Sequence, residues 1–235
     1  MEDSGRSPTL SEGLMMNERK FNRKRRGHET RTRKPIVFVA VEGRRNKTER
    51  YYLKALIEDC RKISIKIVPD SSTDPVGMAE SLVLSMNENE FSSEGGDLSF
   101  CLIDQDCLKE KDSEIAKAER IAKRNGFHLI VSNPCFELWF LCHFIKFPKK
   151  YFSGDELIED LKRYLPGYSK SDNNVYMRVR DKLDFAIESA RRLEKRGLEN
   201  GNKIHTADLC PSTEVYKILE ALVDAGYCDD SSKNN

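Results

Sequence analysis

Long apolar runs are what this sequence most clearly lacks. No window approaches the ~18 consecutive apolar residues that a membrane-crossing helix requires, so no transmembrane helix is expected. The N-terminal charges have no apolar segment behind them, which argues against a secretory signal. Cysteine occurs seven times but never in C-x-x-C spacing. That usage predicts buried thiols in a reducing cytosol rather than a disulfide framework, and hence a soluble cytoplasmic protein. Cys135, Cys142 and His143 have no second ligand pair at zinc spacing. Structural thiols and a core or helix-surface histidine are the expectation there. No G-x-S-x-G elbow is present, and Ser153-Gly154-Asp155 reads as a helix cap. There is no internal repeat.

What the sequence has in abundance is charge. Charged residues make up 34% of the chain and apolar residues 38%, so a core is affordable under a densely charged surface. The net charge of +1 hides an asymmetry: residues 19–34 hold nine Lys or Arg against one Glu, a local +8. Arg23, Lys24, Arg25 and Arg26 are the densest part of this stretch. Residues 1–34 are polar and aperiodic and read as a disordered arm. Clustered cations release counterions from a phosphate backbone, which makes nucleic acid the expected partner of that arm. A solubilising tail is the alternative.

From Pro35 onward strand and helix patterns alternate. Ile36–Val41 is a charge-free run rich in Val and Ile, as in a strand buried on both faces. A helix is expected from about Lys47 to Cys60, with Asn46 and Glu49 spaced like a capping box. Further strands are expected at Ser64–Val68, Leu98–Ile103 and Phe127–Val131. Helices are expected from Asp74-Pro75 to Glu88 and from Ser113 to Arg124, the latter stopped by Asn125-Gly126. Alternation of this kind predicts an α/β domain with a mostly parallel sheet flanked by helices. Pro134 suits the first turn of the apolar helix that follows. Beyond Lys146 the pattern turns to helices alone, at Asp155–Tyr164, Val175–Lys195 and Thr213–Ala225. The expected organisation is an arm over 1–34, an α/β domain over 35–146, a helical extension packed on it over 147–228, and a polar tail over 229–235.

Two of these strands end on carboxylates. The first stops at Glu42-Gly43 and the third at Asp104-Gln105-Asp106, the sheet edge where open α/β folds place their sites. A D-x-D pair can share one Mg²⁺ (or Mn²⁺), because hard cations take oxygen ligands. Such an ion neutralises phosphate, and a glutamate beside it can act as general acid or base. A turn that merely caps the next helix would also begin with D-x-D. The loop Gly43-Arg44-Arg45-Asn46-Lys47-Thr48 opens a helix, and Arg44, Arg45 and Lys47 add charge where a phosphate can lie. It lacks the second glycine and the Gly-Lys-Ser/Thr ending of a Walker loop, which disfavours nucleotide hydrolysis of that type. Glu137 is the lone charged residue amid Phe136, Leu138, Trp139 and Phe140. Burying it is costly unless it is paired or bound to metal. A further ligand, or the orienter of one, stands level with a buried ion pair or a helix-start carboxylate favoured by the dipole. His205 lies in a polar loop and receives no role.

With these residues in view, the chain resembles the RloB-like family of Toprim-related proteins. The resemblance spans about residues 20–225. It is carried by the basic leader, by Val41-Glu42-Gly43 with Lys47-Thr48-Glu49 and Tyr52, and by Asp104-Gln105-Asp106. Ser132-Asn133-Pro134-Cys135-Phe136-Glu137-Leu138-Trp139 and Pro211-Ser212-Thr213-x-Val215-Tyr216 complete it. Two departures stand out: the loop after Gly43 is longer than the family form, and Gln105 replaces a frequent Arg.

The resemblance implies a Toprim-like (Rossmann-like) sheet with a C-terminal helical extension. It implies that Glu42 is the acid/base and that Asp104 and Asp106 hold the metal, with Glu42 beside it and Glu137 in support. The implied activity is a Mg²⁺-dependent nuclease, a prokaryotic anti-phage or abortive-infection effector acting on DNA or RNA, tRNA included. An AAA/ABC-type ATPase is the implied partner, and self-association is left open. A non-catalytic nucleic-acid-binding or adaptor subunit of such a complex is the rival, and primase-type transfer finds no zinc ribbon to favour it.

Overall fold

A computed structural model describes residues 33–42, 47–60, 62–69 and 74–228. Residues 1–32 of the basic arm, the loop 43–46 and the polar tail 229–235, with the cations Arg23, Lys24, Arg25, Arg26, Arg44 and Arg45 and with Asn46, lie outside the described residues.

The strands are β1 (Ile36–Val41), β2 (Ser64–Ile67), β3 (Leu98–Asp104), β4 (His128–Asn133) and a short β5 (Ser212–Thr213). They form one sheet in the order β2-β1-β3-β4-β5. The first four strands are parallel, and β5 runs antiparallel to β4. Helices α1 (Thr48–Asp59), α2 (Pro75–Glu88) and α3 (Asp112–Asn125) make the crossovers. The α/β expectation therefore holds, with a mostly parallel sheet between helical layers.

Side-chain alternation along β1 sorts the core into two halves. Val37, Val39 and Val41 face one way with Phe100, Leu102 and Ile130, while Phe38 and Ala40 face the other with Cys101, Ile103 and Val131. The second half is covered by α2 and α3 through Met78, Leu82, Ile115 and Ala118. The first is covered by α1, by α4 (Glu137–Cys142) and by the later helices α5 (Gly154–Leu161), α6 (Val175–Val179), α7 (Leu183–Glu199) and α8 (Tyr216–Asp224). The described residues from Lys34 onward pack as one unit.

Helix boundaries follow local chemistry. Asp74 caps α2, its carboxylate accepting from Gly77 N–H at 2.8 Å, with Pro75 at the first position. Gly126 ends α3 at φ 72°, a left-handed conformation that suits glycine. Ser153 caps α5 by accepting from Glu156 N–H.

Four expectations are corrected. The helix predicted over Val175–Lys195 is broken by a 3₁₀ turn at Arg180–Lys182, because α6 packs on α1 and α7 on α4, which one straight helix cannot do. The region after Lys146 is not helices alone. Ser212 and Thr213 pair with Asn133 and Ser132, so the last helix starts at Tyr216. Helix α4 starts at Glu137 rather than at Pro134, because the backbone before it is held by the aspartate loop. Finally, Cys60 and Cys228 form a disulfide, against the expectation of thiols throughout; Cys101, Cys107, Cys135, Cys142 and Cys210 are free. No helix among the described residues is long and apolar enough to cross a membrane.

Candidate active site

The order β2-β1-β3 reverses direction between β1 and β3, and sheets of this kind bind ligands just beyond the carboxyl ends of the strands at that point. Glu42 follows β1 directly, and Asp104 is the last residue of β3. Parallel pairing of the two strands, with Val41 opposite Leu102, brings both ends to one edge.

The aspartate loop is held by many bonds. Gln105 N–H donates to Ser132 O at 2.8 Å, Asp106 N–H to Pro134 O at 2.8 Å, and Cys107 N–H to Asn133 Oδ1 at 3.2 Å. Asn133 in turn donates through Nδ2 to Ala207 O and Leu209 O, both at 3.1 Å. These bonds keep Asp106 and Cys107 at φ 56° and 59°, a region that residues with a side chain rarely adopt. Phe136 N–H donates to Asp104 Oδ1 at 2.9 Å. Gln105 is fully buried and turns away, donating to Leu108 O and Asp112 Oδ1. The charge missing at that position is therefore not missing between the two aspartates.

The structure gathers five carboxylates rather than four. Asp104 is pushed well above its usual range by burial and then by the charges of Glu137, Glu49, Glu42 and Asp106. Glu49, on the buried face of α1, is raised to about 7 by burial and by Glu137. Glu42 is half-buried and also raised, by burial and by Asp106, against the opposing pull of Lys111, Lys47 and Lys170. Glu137 is 1% exposed; Tyr168 Oη donates to its Oε1 at 3.1 Å, and Lys170 Nζ lies 3.8 Å from the same oxygen. Its Oε2 is buried with no hydrogen-bond partner among the described residues. Glu137 is thus a weakly paired buried acid in the first turn of α4, beside the other carboxylates.

Among the described residues, three lysines answer these five acids. Lys111 Nζ sits 2.5 Å from Asp106 Oδ2 and donates to Asp104 O at 3.0 Å. Lys170 arrives from the C-terminal half, and its carbonyl takes the Thr48 N–H at 2.9 Å. Thr48 Oγ1 also donates to Ser169 O at 3.2 Å. One of the α1 N–H groups expected to greet an anion is therefore already used. Lys47, at the N-cap of α1, completes the set.

Among the described residues no three His, Cys, Asp or Glu side chains stand as a ready-made metal site. The donor chemistry nevertheless fits a hard divalent cation: all-oxygen ligands, raised carboxylates and an unpartnered Glu137 oxygen. A surface cleft of about 960 Å³, lined by Asp59, Tyr176, Glu188, Arg191 and Glu220 among others, contains none of these residues. His143 is a core histidine. It bonds Trp139 O through Nδ1, and burial lowers it to about 4. Cys135 lies beside Glu137, and burial raises its thiol far above the reactive range.

Sequence reasoning gave no site role to Glu49, Lys111, Tyr168 or Lys170. Glu49 carried a readable signal, because it precedes Leu53 and Leu56 at helical spacing on a buried stripe. The other three carried none.

A family model described as RloB-like protein matches residues 37–222. No curated protein and no solved structure matches the chain.

Proposed function

The chain belongs to the RloB-like family, and from that premise we propose that it is a Toprim-type, divalent-metal-dependent nuclease. It hydrolyses phosphodiester bonds of DNA or RNA, tRNA among them, as a prokaryotic anti-phage effector working with an ATPase partner. The observation that carries the reading is Asp104, which faces four other carboxylates, Glu137, Glu49, Glu42 and Asp106, against three lysines among the described residues.

Asp104 and Asp106 would hold Mg²⁺ or Mn²⁺ with Glu42 beside them, and the bound ion would supply positive charge to a phosphate and acidify a water. Glu42, raised and half-exposed, is suited to move a proton at the attacking or leaving oxygen. Glu137 and Glu49 add acid behind the ligands, and Tyr168 and Lys170 engage Glu137. Lys47, with Arg44 and Arg45 before it, offers charge for the phosphate backbone, and the arm 19–34 adds affinity that ignores sequence.

One observation favours the rival. Lys111 already neutralises Asp106 at 2.5 Å, as in a scaffold that binds without turnover. The two readings separate in one experiment: the purified chain is incubated with plasmid, single-stranded DNA and tRNA in Mn²⁺, Mg²⁺ or EDTA. Cleavage that EDTA abolishes supports the nuclease. Intact substrates, with no Mg²⁺ or Mn²⁺ binding by titration calorimetry, support the adaptor.

A further inference from the structure

The segment from Lys146 to Phe152, Lys-Phe-Pro-Lys-Lys-Tyr-Phe, contains no acid and alternates cations with rings. It is not helical, and two of its residues are tucked in: Pro148 is buried and Tyr151 is fully buried. Those anchors leave Phe147 50% exposed and Phe152 78% exposed. A single exposed ring on a protein surface is ordinary. Two on one short strap, with lysines between them, form an aromatic and cationic surface.

The strap is fastened to the rim of the carboxylate cluster. Tyr151 O accepts from the thiols of Cys107, at 3.4 Å, and Cys210, at 3.3 Å, and Cys107 is the residue after Asp106. At the far end of the strap, a Cβ on Gly154 would lie 3.2 Å from the sulfur of Cys135, two residues before Glu137. Lys150 Nζ stands 6.0 Å from the centre of the Phe152 ring, close enough for both to meet one ligand. Lys149 is committed to Glu156 at 2.8 Å, whereas Lys146 and Lys150 make no ion pair among the described residues.

We propose that this strap is a platform for single-stranded nucleic acid, with a base stacked on Phe152 and the adjoining phosphate held by Lys150, so that the strand passes the Glu42–Asp104–Asp106 cluster. A duplex hides the faces of its bases, leaving an exposed ring nothing to stack on, while every unpaired base offers a face. A lysine beside the ring that no acid engages then meets the phosphate of the same nucleotide. This deepens the nuclease reading by naming its substrate class. It rests on that reading for where the strand leads, not for the binding itself.

The test is a binding measurement in EDTA with the full chain, so that cleavage plays no part. Fluorescence anisotropy compares a labelled single-stranded DNA or RNA oligonucleotide with its duplex of the same sequence. The single strand should bind more tightly. Phe152→Ala should weaken its binding by about tenfold with little effect on the duplex, and Phe152→Trp should restore it. Lys150→Ala should flatten the salt dependence of single-strand binding by about 0.7 in log–log slope. Equal affinities for single strand and duplex, or a Phe152→Ala variant that binds the single strand as wild type does, would overturn the proposal. Single-strand binding that depends on Phe152, in a protein that cuts nothing in Mg²⁺ or Mn²⁺, would uphold the platform and sink the nuclease.

Discussion

Two buried polar clusters flank the sheet, and they are built on opposite principles. Around Glu214 every acid has a partner. Its Oε2 accepts from Val131 N–H at 2.9 Å and bonds His205 at 3.0 Å, while Oε1 meets Lys217 at 2.5 Å. Lys217 also reaches Glu194 at 3.2 Å. Burial alone would raise Glu214, but His205 and Lys217 outweigh it and hold the carboxyl below its usual range. Around Asp104 the carboxylates face one another, and Asp104, Glu49 and Glu42 all rise. A satisfied buried acid fastens a fold; here Glu214 ties the segment after β5 to the edge of β4. A repelling set costs the fold stability.

The comparison breaks most sharply under substitution. Glu42→Gln and Asp104→Asn should each lower divalent-dependent cleavage by at least about a hundredfold, with no fall in melting temperature. Glu214→Ala should do the reverse. It leaves His205 and Lys217 without their buried acid, costs about 3 kcal/mol and lowers the melting temperature by roughly 6–12 °C, with the chemistry intact. A thermal melt beside a cleavage assay reads both. Acid-cluster variants that melt early and still cut would erase the distinction.

The pH dependence of stability sharpens it. Carboxyls raised above their unfolded values, 4.5 for Glu42 and Glu49 and 3.8 for Asp104, bind more protons folded than unfolded. Their cluster therefore loses stability as pH rises from about 4.5 through 7, the value for Glu49. Glu214, being lowered, contributes stability above 4.5 that is lost as pH falls through its folded value. His205 is raised, burial being outweighed by Glu214, so its share is present below 6.5 and lost as pH climbs through its folded value. Glu49→Gln should accordingly raise the melting temperature at pH 8, by roughly 4–8 °C for a relief on the order of 2 kcal/mol, and do little at pH 5. His205→Gln, as control, removes a share that Glu49→Gln leaves in place. An unchanged slope in Glu49→Gln would mean that the five acids do not repel.

The smallest effect concerns Lys111. Its charge opposes the rise of Glu42, so Lys111→Ala should move the acid limb of the pH–rate profile upward by less than about one unit. A limb that stays put would separate Glu42 from the rate-determining proton.

How much of this was legible in the chain depends on range. The strand ends were readable because apolar runs stop abruptly at Glu42 and Asp104, and that contrast is local. Glu49 was readable in principle, as an acid on a buried helical stripe. Lys111 hid in the polar segment Lys109-Glu110-Lys111, where any lysine looks solvated. Tyr168 meets Glu137 across 31 positions, and the Lys170 carbonyl meets Thr48 from a distant loop, so neither contact has a local pattern. Strand β5 has two residues and no periodicity, while the break between α6 and α7 falls at Arg180–Lys182, with no Pro or Gly to mark it. The Cys60–Cys228 bond spans 168 positions, and seven cysteines do not reveal their pairing.

The segment Tyr168–Lys170 lies across the start of α1, its carbonyls on Thr48 and its side chains on Glu137. A protein trimmed to its sheet and crossover helices would inherit the acids without this counterweight. Grafting the site onto another scaffold would therefore mean transplanting two distant pieces of chain, and recombination between relatives would be safest where it exchanges both together.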